Sequence, residues 1–372
     1  MHSLLRQMAK SSKSGVSLTT YHSPWWLPGN GILETLVPEL IPTKTMKFRR
    51  EELRLPVMNK REGSVCAPDI IPEGIVSVDW LEFEEESGAT KDKISRARSE
   101  PPIVILVPGL TGSSDSGYIR RTAEIFHSKG GFRVACFNPR GRGGNPLISP
   151  FLYSVGYTED LRRAVAHIRA SNPEAPFLFA VGYSLGSNYL AKYVAEEGEK
   201  CPLSGGVCLG GVVDCLATSQ ALESTFFGRI ADSLLVRLVK PLAMENASIL
   251  KEAPHWYDYE ALAKARTMAQ FDGAMISKSF GFSSASDYYR WSSSGLVLHQ
   301  IRIPMLFLFA ENDPVVGGAV RSDTFEANDF LVMCVTKNGG HSMDWFDGSL
   351  EPWAAKNAWQ FCDAIACEGM QI

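Results

Sequence analysis

The chain has 372 residues, 45% of them hydrophobic and 21% charged, which is enough to bury one large core. Its formal net charge of -4 gives no overall electrostatic reason to hold nucleic acid or an anionic membrane surface. Eight scattered cysteines (Cys66, Cys136, Cys201, Cys208, Cys215, Cys334, Cys362 and Cys367) form no C-x-x-C pair and lack the density of a secreted disulfide scaffold, so they read as reduced thiols.

Met1 to Lys10 carries no apolar stretch of signal-peptide length, and no later run approaches a membrane span. The expectation is a cytoplasmic protein, with peripheral membrane contact left open. Short apolar or alternating runs predict strands over 47–55 and 74–83, followed by a charged surface loop over 84–100. Buried-type runs at 103–107, 132–137 and 177–181 predict three more strands, separated by helical stretches over 119–129 and 158–169. A helix over 185–197 and another apolar run over 205–213 continue the rhythm. It then breaks. Residues 216–300 hold amphipathic stretches such as 230–239, aromatic clusters and Ser-rich turns, which predicts helices inserted between two strands. Strands over 303–310 and 330–336 and a helix over 353–367 close the chain. The alternation predicts an α/β fold with a mostly parallel central sheet flanked by helices. The expected organisation is an arm over 1–46 packed on a domain over 47–372, with 216–300 as a helical lid.

The chemistry centres on Gly182-Tyr183-Ser184-Leu185-Gly186. A G-x-S-x-G match occurs by chance in roughly a quarter of chains of this length, so its setting decides its value. Here an apolar strand leads directly into it and a helix-forming run follows, as in the strand-turn-helix elbow of α/β-hydrolases that lifts a nucleophilic serine above the sheet. Glycines at 182 and 186 fit that turn because larger side chains would collide with strand or helix. The same turn aims the Leu185 N–H toward an oxyanion.

A serine hydroxyl needs a histidine to take its proton and an acid to hold that histidine's tautomer, in this fold in the chain order serine, acid, histidine. His127 and His167 lie in helices before the nucleophile, His2 and His22 in the arm, and His255 and His299 in or beside the insertion. His341 alone follows a late strand directly, behind Asn338-Gly339-Gly340, and is assigned as the base. Asp313, after the strand ending at Ala310, is the preferred acid by loop position; Asp214 is the rival, and Glu311 or Asp344 would require different loop geometry. The second oxyanion donor is expected from Pro108-Gly109-Leu110-Thr111-Gly112, at Leu110 N–H first and Thr111 second. The reaction calls for no metal and no organic cofactor, and no His/Cys/Asp cluster has metal-ligand spacing.

Arg140-Gly141-Arg142-Gly143-Gly144 lacks the ending of a P-loop and the spacing of a dinucleotide motif. It reads as a tight loop whose arginines could meet an anionic headgroup. Trp25, Trp26, Phe226, Phe227, Trp256, Tyr257, Tyr288, Tyr289 and Trp291 each read first as core packing and, taken together, as candidates for an apolar acyl-binding pocket.

Taken in order, Pro24-Trp25-Trp26-Leu27-Pro28 with Leu33-Glu34-Thr35, Phe48-Arg49-Arg50-Glu51, Pro108 to Gly112, Phe137-Asn138-Pro139-Arg140-Gly141, Thr158-Glu159-Asp160-Leu161, Gly182 to Gly186, Asp287-Tyr288-Tyr289-Arg290 and Gly339-Gly340-His341 resemble the AB hydrolase 4 family. That family includes YheT-type esterases, plant embryogenesis-associated hydrolases and animal abhydrolase-domain lipases. The resemblance implies a carboxylesterase or lipase acting on acyl esters such as monoacylglycerols or phospholipids, with transfer of the acyl group to an alcohol as the alternative and a non-catalytic binding protein as a further one. It also implies triad positions at Ser184, Asp313 and His341. Val107 stands where many members have histidine, and Asn312 where an aspartate is common.

Overall fold

The computed structural model describes residues 21–27, 29–60, 68–82, 100–316 and 322–368. Most of the predicted charged loop, the segment Met1 to Lys10 and Cys66 lie outside them. The described residues form ten strands: β1 (Lys47–Leu55), β2 (Met58–Asn59), β3 (Ile70–Ile71), β4 (Gly74–Glu82), β5 (Ile103–Val107), β6 (Arg133–Asn138), β7 (Leu178–Tyr183), β8 (Gly205–Leu209), β9 (Met305–Ala310) and β10 (Leu331–Thr336). Eight form one sheet in the order β1-β4-β6-β5-β7-β8-β9-β10, while β2 and β3 pair separately. β1 and β4 run antiparallel to their neighbours; from β6 onward every pairing is parallel. This is the expected α/β-hydrolase sheet, and its parallel strands bring their carboxyl ends to one edge, where sites of open α/β sheets lie.

The period-two alternation of the strands sorts their side chains onto two cores. Ile103, Ile105 and Val107 face one side with Leu161, Val165, Leu190 and Val194, from the helices α3 (Glu159–Ser171) and α4 (Leu185–Glu197). Val104 and Leu106 face the other with Phe126 and Phe361, from α2 (Gly117–Gly130) and α13 (Trp353–Glu368). The central strands are buried on both faces, which is why they read as continuous apolar runs. Before them lies a helix absent from the sequence reading, α1 (Gly31–Leu36), capped by the Asn30 side chain.

Between β8 and β9 the chain forms seven helices: α5 (Cys215–Ser224), α6 (Phe226–Glu245), α7 (Ala247–Leu250), α8 (Tyr259–Lys264), α9 (Met268–Ala274), α10 (Ile276–Ser279) and α11 (Ala285–Ser292). α12 (Ser322–Glu326) follows β9. α6 carries apolar residues on both faces, the larger ones outward. Its inward face carries Gly228, Asp232, Val236, Val239 and Ala243, whereas Phe226, Phe227, Ile230, Leu234 and Leu238 are exposed. The inserted helices also bury acid. Tyr289 donates its hydroxyl to Asp272 at 2.7 Å, and the Asp232 carboxylate accepts Met268 N–H at 2.7 Å.

Burial, with a smaller contribution from the neighbouring Asp232 charge, pushes the Asp272 carboxyl up to about 7. The folded chain then keeps this proton through a window, from about pH 4 to about pH 7, in which the unfolded chain has released it. This group's contribution to stability therefore falls as pH rises across the window and levels off above it. Asp272→Asn, which mimics the neutral acid, should raise the melting temperature above that of the parent at pH 8 and lose that advantage toward pH 5. A difference in Tm that stays constant with pH is the contrary result.

Candidate active site

β7 runs two residues further than predicted and delivers Tyr183 straight into the turn. Ser184 takes φ 50° and ψ -117°, a conformation that costs a non-glycine residue on the order of 1–3 kcal/mol and persists only where its surroundings impose it. They do so here. Ser184 N–H donates to Leu209 O on β8 at 2.8 Å, and Ser187 N–H donates back to Ser184 O at 3.0 Å. A Cβ at Gly182 would stand 2.7 Å from Gly186 O, and one at Gly186 would stand 2.3 Å from both Val107 O and Pro108 O. A Cβ at Gly109 would lie 3.2 Å from Ser184 Cβ, so the loop after β5 sits directly against the serine.

The structure brings Ser184, His341 and Asp313 together. Ser184 Oγ lies 2.7 Å from His341 Nε2, and His341 Nδ1 lies 2.7 Å from Asp313 Oδ2. Asp313 is 5% exposed, and its Oδ1 accepts the N–H groups of Val315 and Val316 at 2.7 and 2.9 Å. One carboxylate oxygen is thus held by backbone while the other faces the imidazole. A proton on Nδ1 shared with Asp313 leaves the Nε2 lone pair free to accept the serine O–H. Near them, Leu185 opens α4 and Leu110 follows Gly109; neither amide has an acceptor in the chain among the described residues. Thr111 adopts φ 62°.

The rival assignments go elsewhere. Asp214 caps α5, accepting Ala217 N–H at 2.9 Å. Asp344 is buried in a bidentate pair with Arg121, at 2.9 and 2.6 Å. Glu311 is exposed. His127 turns toward Phe132 O, His167 toward Glu51, and His255 packs beside Trp256.

Two expectations need correction. Arg140 meets no headgroup: it is buried against Asp160 at 2.7 and 3.0 Å, donates to Pro72 O and Glu73 O, and lies over the Phe151 ring. Its charge is spent on joining the loop after β6 to α3. The aromatics do not act as one pocket lining. Tyr257, Tyr288 and Tyr289 are core residues, whereas Trp25, Phe226 and Phe227 face solvent. None of the seven described cysteines is in a disulfide.

The sequence reading assigned no role to the groups that hold the His341 loop. Glu34, 2% exposed, accepts Asn312 Nδ2 at 2.6 Å and Gly339 N–H at 3.0 Å; Thr35 Oγ1 accepts His341 N–H at 2.8 Å. The signals for them are Leu33-Glu34-Thr35, one of the runs that resemble the AB hydrolase 4 family, and an Asn30 cap on a helix too short to show periodicity.

The chain belongs to the α/β-hydrolase fold family, whose profile matches residues 102–343, and within it to the AB hydrolase 4 group. It is 30% identical over 347 residues to the embryogenesis-associated protein EMB8 of Picea glauca, covering 92% of this chain and 70% of that one. It is also 30% identical over 282 residues to a monoacylglycerol lipase of Saccharomyces cerevisiae, covering 73% and 62% of the two chains. A medium-chain fatty acid ethyl ester synthase/esterase 2 of the same yeast is 30% identical over 311 residues, covering 78% and 67%. The protein is an ester-bond hydrolase.

The elbow's tolerance is measurable. Gly186→Ala forces a methyl against two backbone carbonyls and should cost about 1–3 kcal/mol in urea melts. Gly348→Ala, with nothing within 4 Å of its added methyl, should stay within about 0.5 kcal/mol of the parent. Equal stability of the two variants would contradict the packing account.

Proposed function

We propose that the chain is a serine carboxylesterase or lipase that cleaves acyl esters, monoacylglycerols among them, through an acyl-enzyme on Ser184. The observation that carries this reading is the continuous relay from Ser184 Oγ through His341 to Asp313, at 2.7 Å for each contact. Ser184 Oγ attacks the ester carbonyl while His341 Nε2 takes its proton. Asp313 holds the imidazole in the productive tautomer and stabilises its positive charge. The Leu185 and Leu110 N–H groups receive the oxyanion. As the tetrahedral intermediate collapses, His341 returns the proton to the departing alcohol oxygen. Water, deprotonated by the same imidazole, then attacks the acyl-enzyme; the carboxylic acid leaves and Ser184 regains its proton. Ser184→Ala should lower turnover of a medium-chain ester by at least about 10⁴-fold and abolish fluorophosphonate labelling, and Asp313→Asn should lower kcat by about 10³- to 10⁴-fold. Full activity of the Ser184 variant would end the proposal.

The name of the yeast synthase/esterase supports alcohol capture of the same acyl-enzyme as a second reading. Ethyl ester formed from an acyl donor and added ethanol, and lost in Ser184→Ala, is its signature.

The inserted helices serve in this reading as a lid whose outer face meets a lipid surface with anionic headgroups. Among the described residues, no helix is long and apolar enough to cross a membrane, so contact here means lying at the interface. Phe226 and Phe227 (67% and 58% exposed) with Ile230, Leu234 and Leu238 present an apolar stripe along α6. Arg229 and Arg237 are exposed beside this stripe, while the helix's acids are the buried Asp232 and Glu245 at its far end, so the charge along the stripe suits anionic headgroups. Phe227→Glu with Leu234→Glu should reduce cosedimentation with phosphatidylcholine/phosphatidylserine vesicles by about 10-fold or more. Undiminished binding would remove α6 as the contact.

A further inference from the structure

We propose that Glu34 is a positioning residue for the reaction at Ser184: through it, α1 clasps together the two separate loops that carry Asp313 and His341. The inference rests on the triad reading above and adds an element far from it in sequence.

The clasp is built from hydrogen bonds that uncharged donors make to one buried carboxylate. Glu34 Oε1 accepts the Ser23 hydroxyl, and Oε2 accepts both Asn312 Nδ2 and Gly339 N–H. Asn312 is the residue before Asp313, and its own Oδ1 accepts Gly340 N–H at 2.9 Å, the residue before His341. Glu34 therefore binds one loop by a side chain and the other by its backbone, and the two loops bind each other. Thr35, the next residue of α1, accepts His341 N–H and donates to Gly31 O at 2.6 Å.

The backbones approach closely enough to exclude side chains. A Cβ at Gly31 would stand 1.9 Å from Asn312 O, and one at Gly340 would stand 2.4 Å from Gly31 O. Both surfaces are shaped for contact. No Lys, Arg or His forms an ion pair with Glu34 among the described residues, so its cost of burial is offset only by these donors. A helix needed merely to cover the core would gain more from an apolar residue at this position. What the carboxylate adds is a fixed distance between Asn312 and Gly339, and hence between Asp313 and His341.

Removing the clasp leaves Ser184, His341 and Asp313 in place chemically but lets their loops separate, and a small misplacement of such groups lowers the chemical step more than binding. Glu34→Ala should therefore lower kcat on a soluble short-chain ester by about 10- to 100-fold, with KM changed less than about 2-fold. The rate of fluorophosphonate labelling of Ser184 should fall in parallel with kcat. Glu34→Gln can still accept from Asn312 and Gly339 through its amide oxygen while donating to Ser23 Oγ, which also donates to Leu27 O; it should recover most of the rate.

A folded Glu34→Ala protein with parental kcat and labelling rate overturns the proposal, as does a Gln variant no better than Ala. If Glu34→Ala fails to fold, Thr35→Val decides: it removes the acceptor for His341 N–H, together with the hydroxyl's own bond to Gly31 O within α1, and should lower kcat by about 3- to 10-fold at parental KM. An unchanged kcat there overturns the proposal as well. Ser184→Ala assayed on the same ester separates the two levels: loss of turnover in that variant beside a normal Glu34→Ala means that the clasp alone fails.

Discussion

Ser184 holds a backbone conformation that its own residue type disfavours, and the central sheet is arranged to impose it. Its N–H is bound to β8, its carbonyl to the first turn of α4, and the strand before it and the helix after it meet so closely that residues 182 and 186 have no space for a side chain. β5 is held at the same place, because the Val107 and Pro108 carbonyls abut Gly186 and the Gly109 loop abuts the serine. One strained turn thus fixes the mutual distance of β5, β7 and α4. The strain is small beside the burial of the strands that support it, since each large apolar side chain removed from water contributes about 1.5–3 kcal/mol.

The other half of the site is assembled by different means. Asp313 and His341 lie on loops after β9 and β10, adjacent parallel strands whose register pairs Ala310 with Thr336. That register brings the loops side by side but does not define their last few ångströms. Short polar links do so: Asp313 Oδ1 on two backbone amides, Asn312 on Gly340, and α1 closing over both. Behind His341, the buried Arg121 and Asp344 pair ties the same segment to α2, and Arg121 also donates to Ile41 O in the segment after α1. Burial pushes the Asp344 carboxyl up while the guanidinium opposes it, and the bidentate geometry shows a charge held for position.

The inserted helices follow another rule. Their inner side is compact, with Asp272, Tyr289, Ser154 and Tyr288 joined by hydrogen bonds among buried rings. On α6 the bulkiest apolar side chains point to solvent while smaller residues, Gly228, Val236, Val239 and Ala243, and the Asp232 carboxylate point inward. A helix packed only to stabilise the fold would carry polar residues on its outer face. The orientation is consistent with an outer face that has an apolar neighbour of its own, as the proposed lipid contact supplies.

By itself, the sequence determined the eight strands of the main sheet, the four long helices packed on it and the serine turn, because these are local: apolar runs of strand length, 3.6-residue periodicity, and glycines flanking Ser184 where nothing larger fits. The order of residues also carried Asp313 and His341, since loops at the carboxyl ends of parallel strands must gather at one edge. Only the tertiary structure decided the rest. It engaged Asp214 and Asp344 elsewhere, turned Arg140 inward to Asp160, set α6 with its apolar face outward, and brought Glu34 against loops nearly three hundred residues away. An amphipathic pattern states that a helix has an apolar side but not which way that side faces. A lone glutamate or arginine carries no periodicity at all. Their roles depend on partners distant in the chain, and those distances exist only once the sheet has closed the register between its strands.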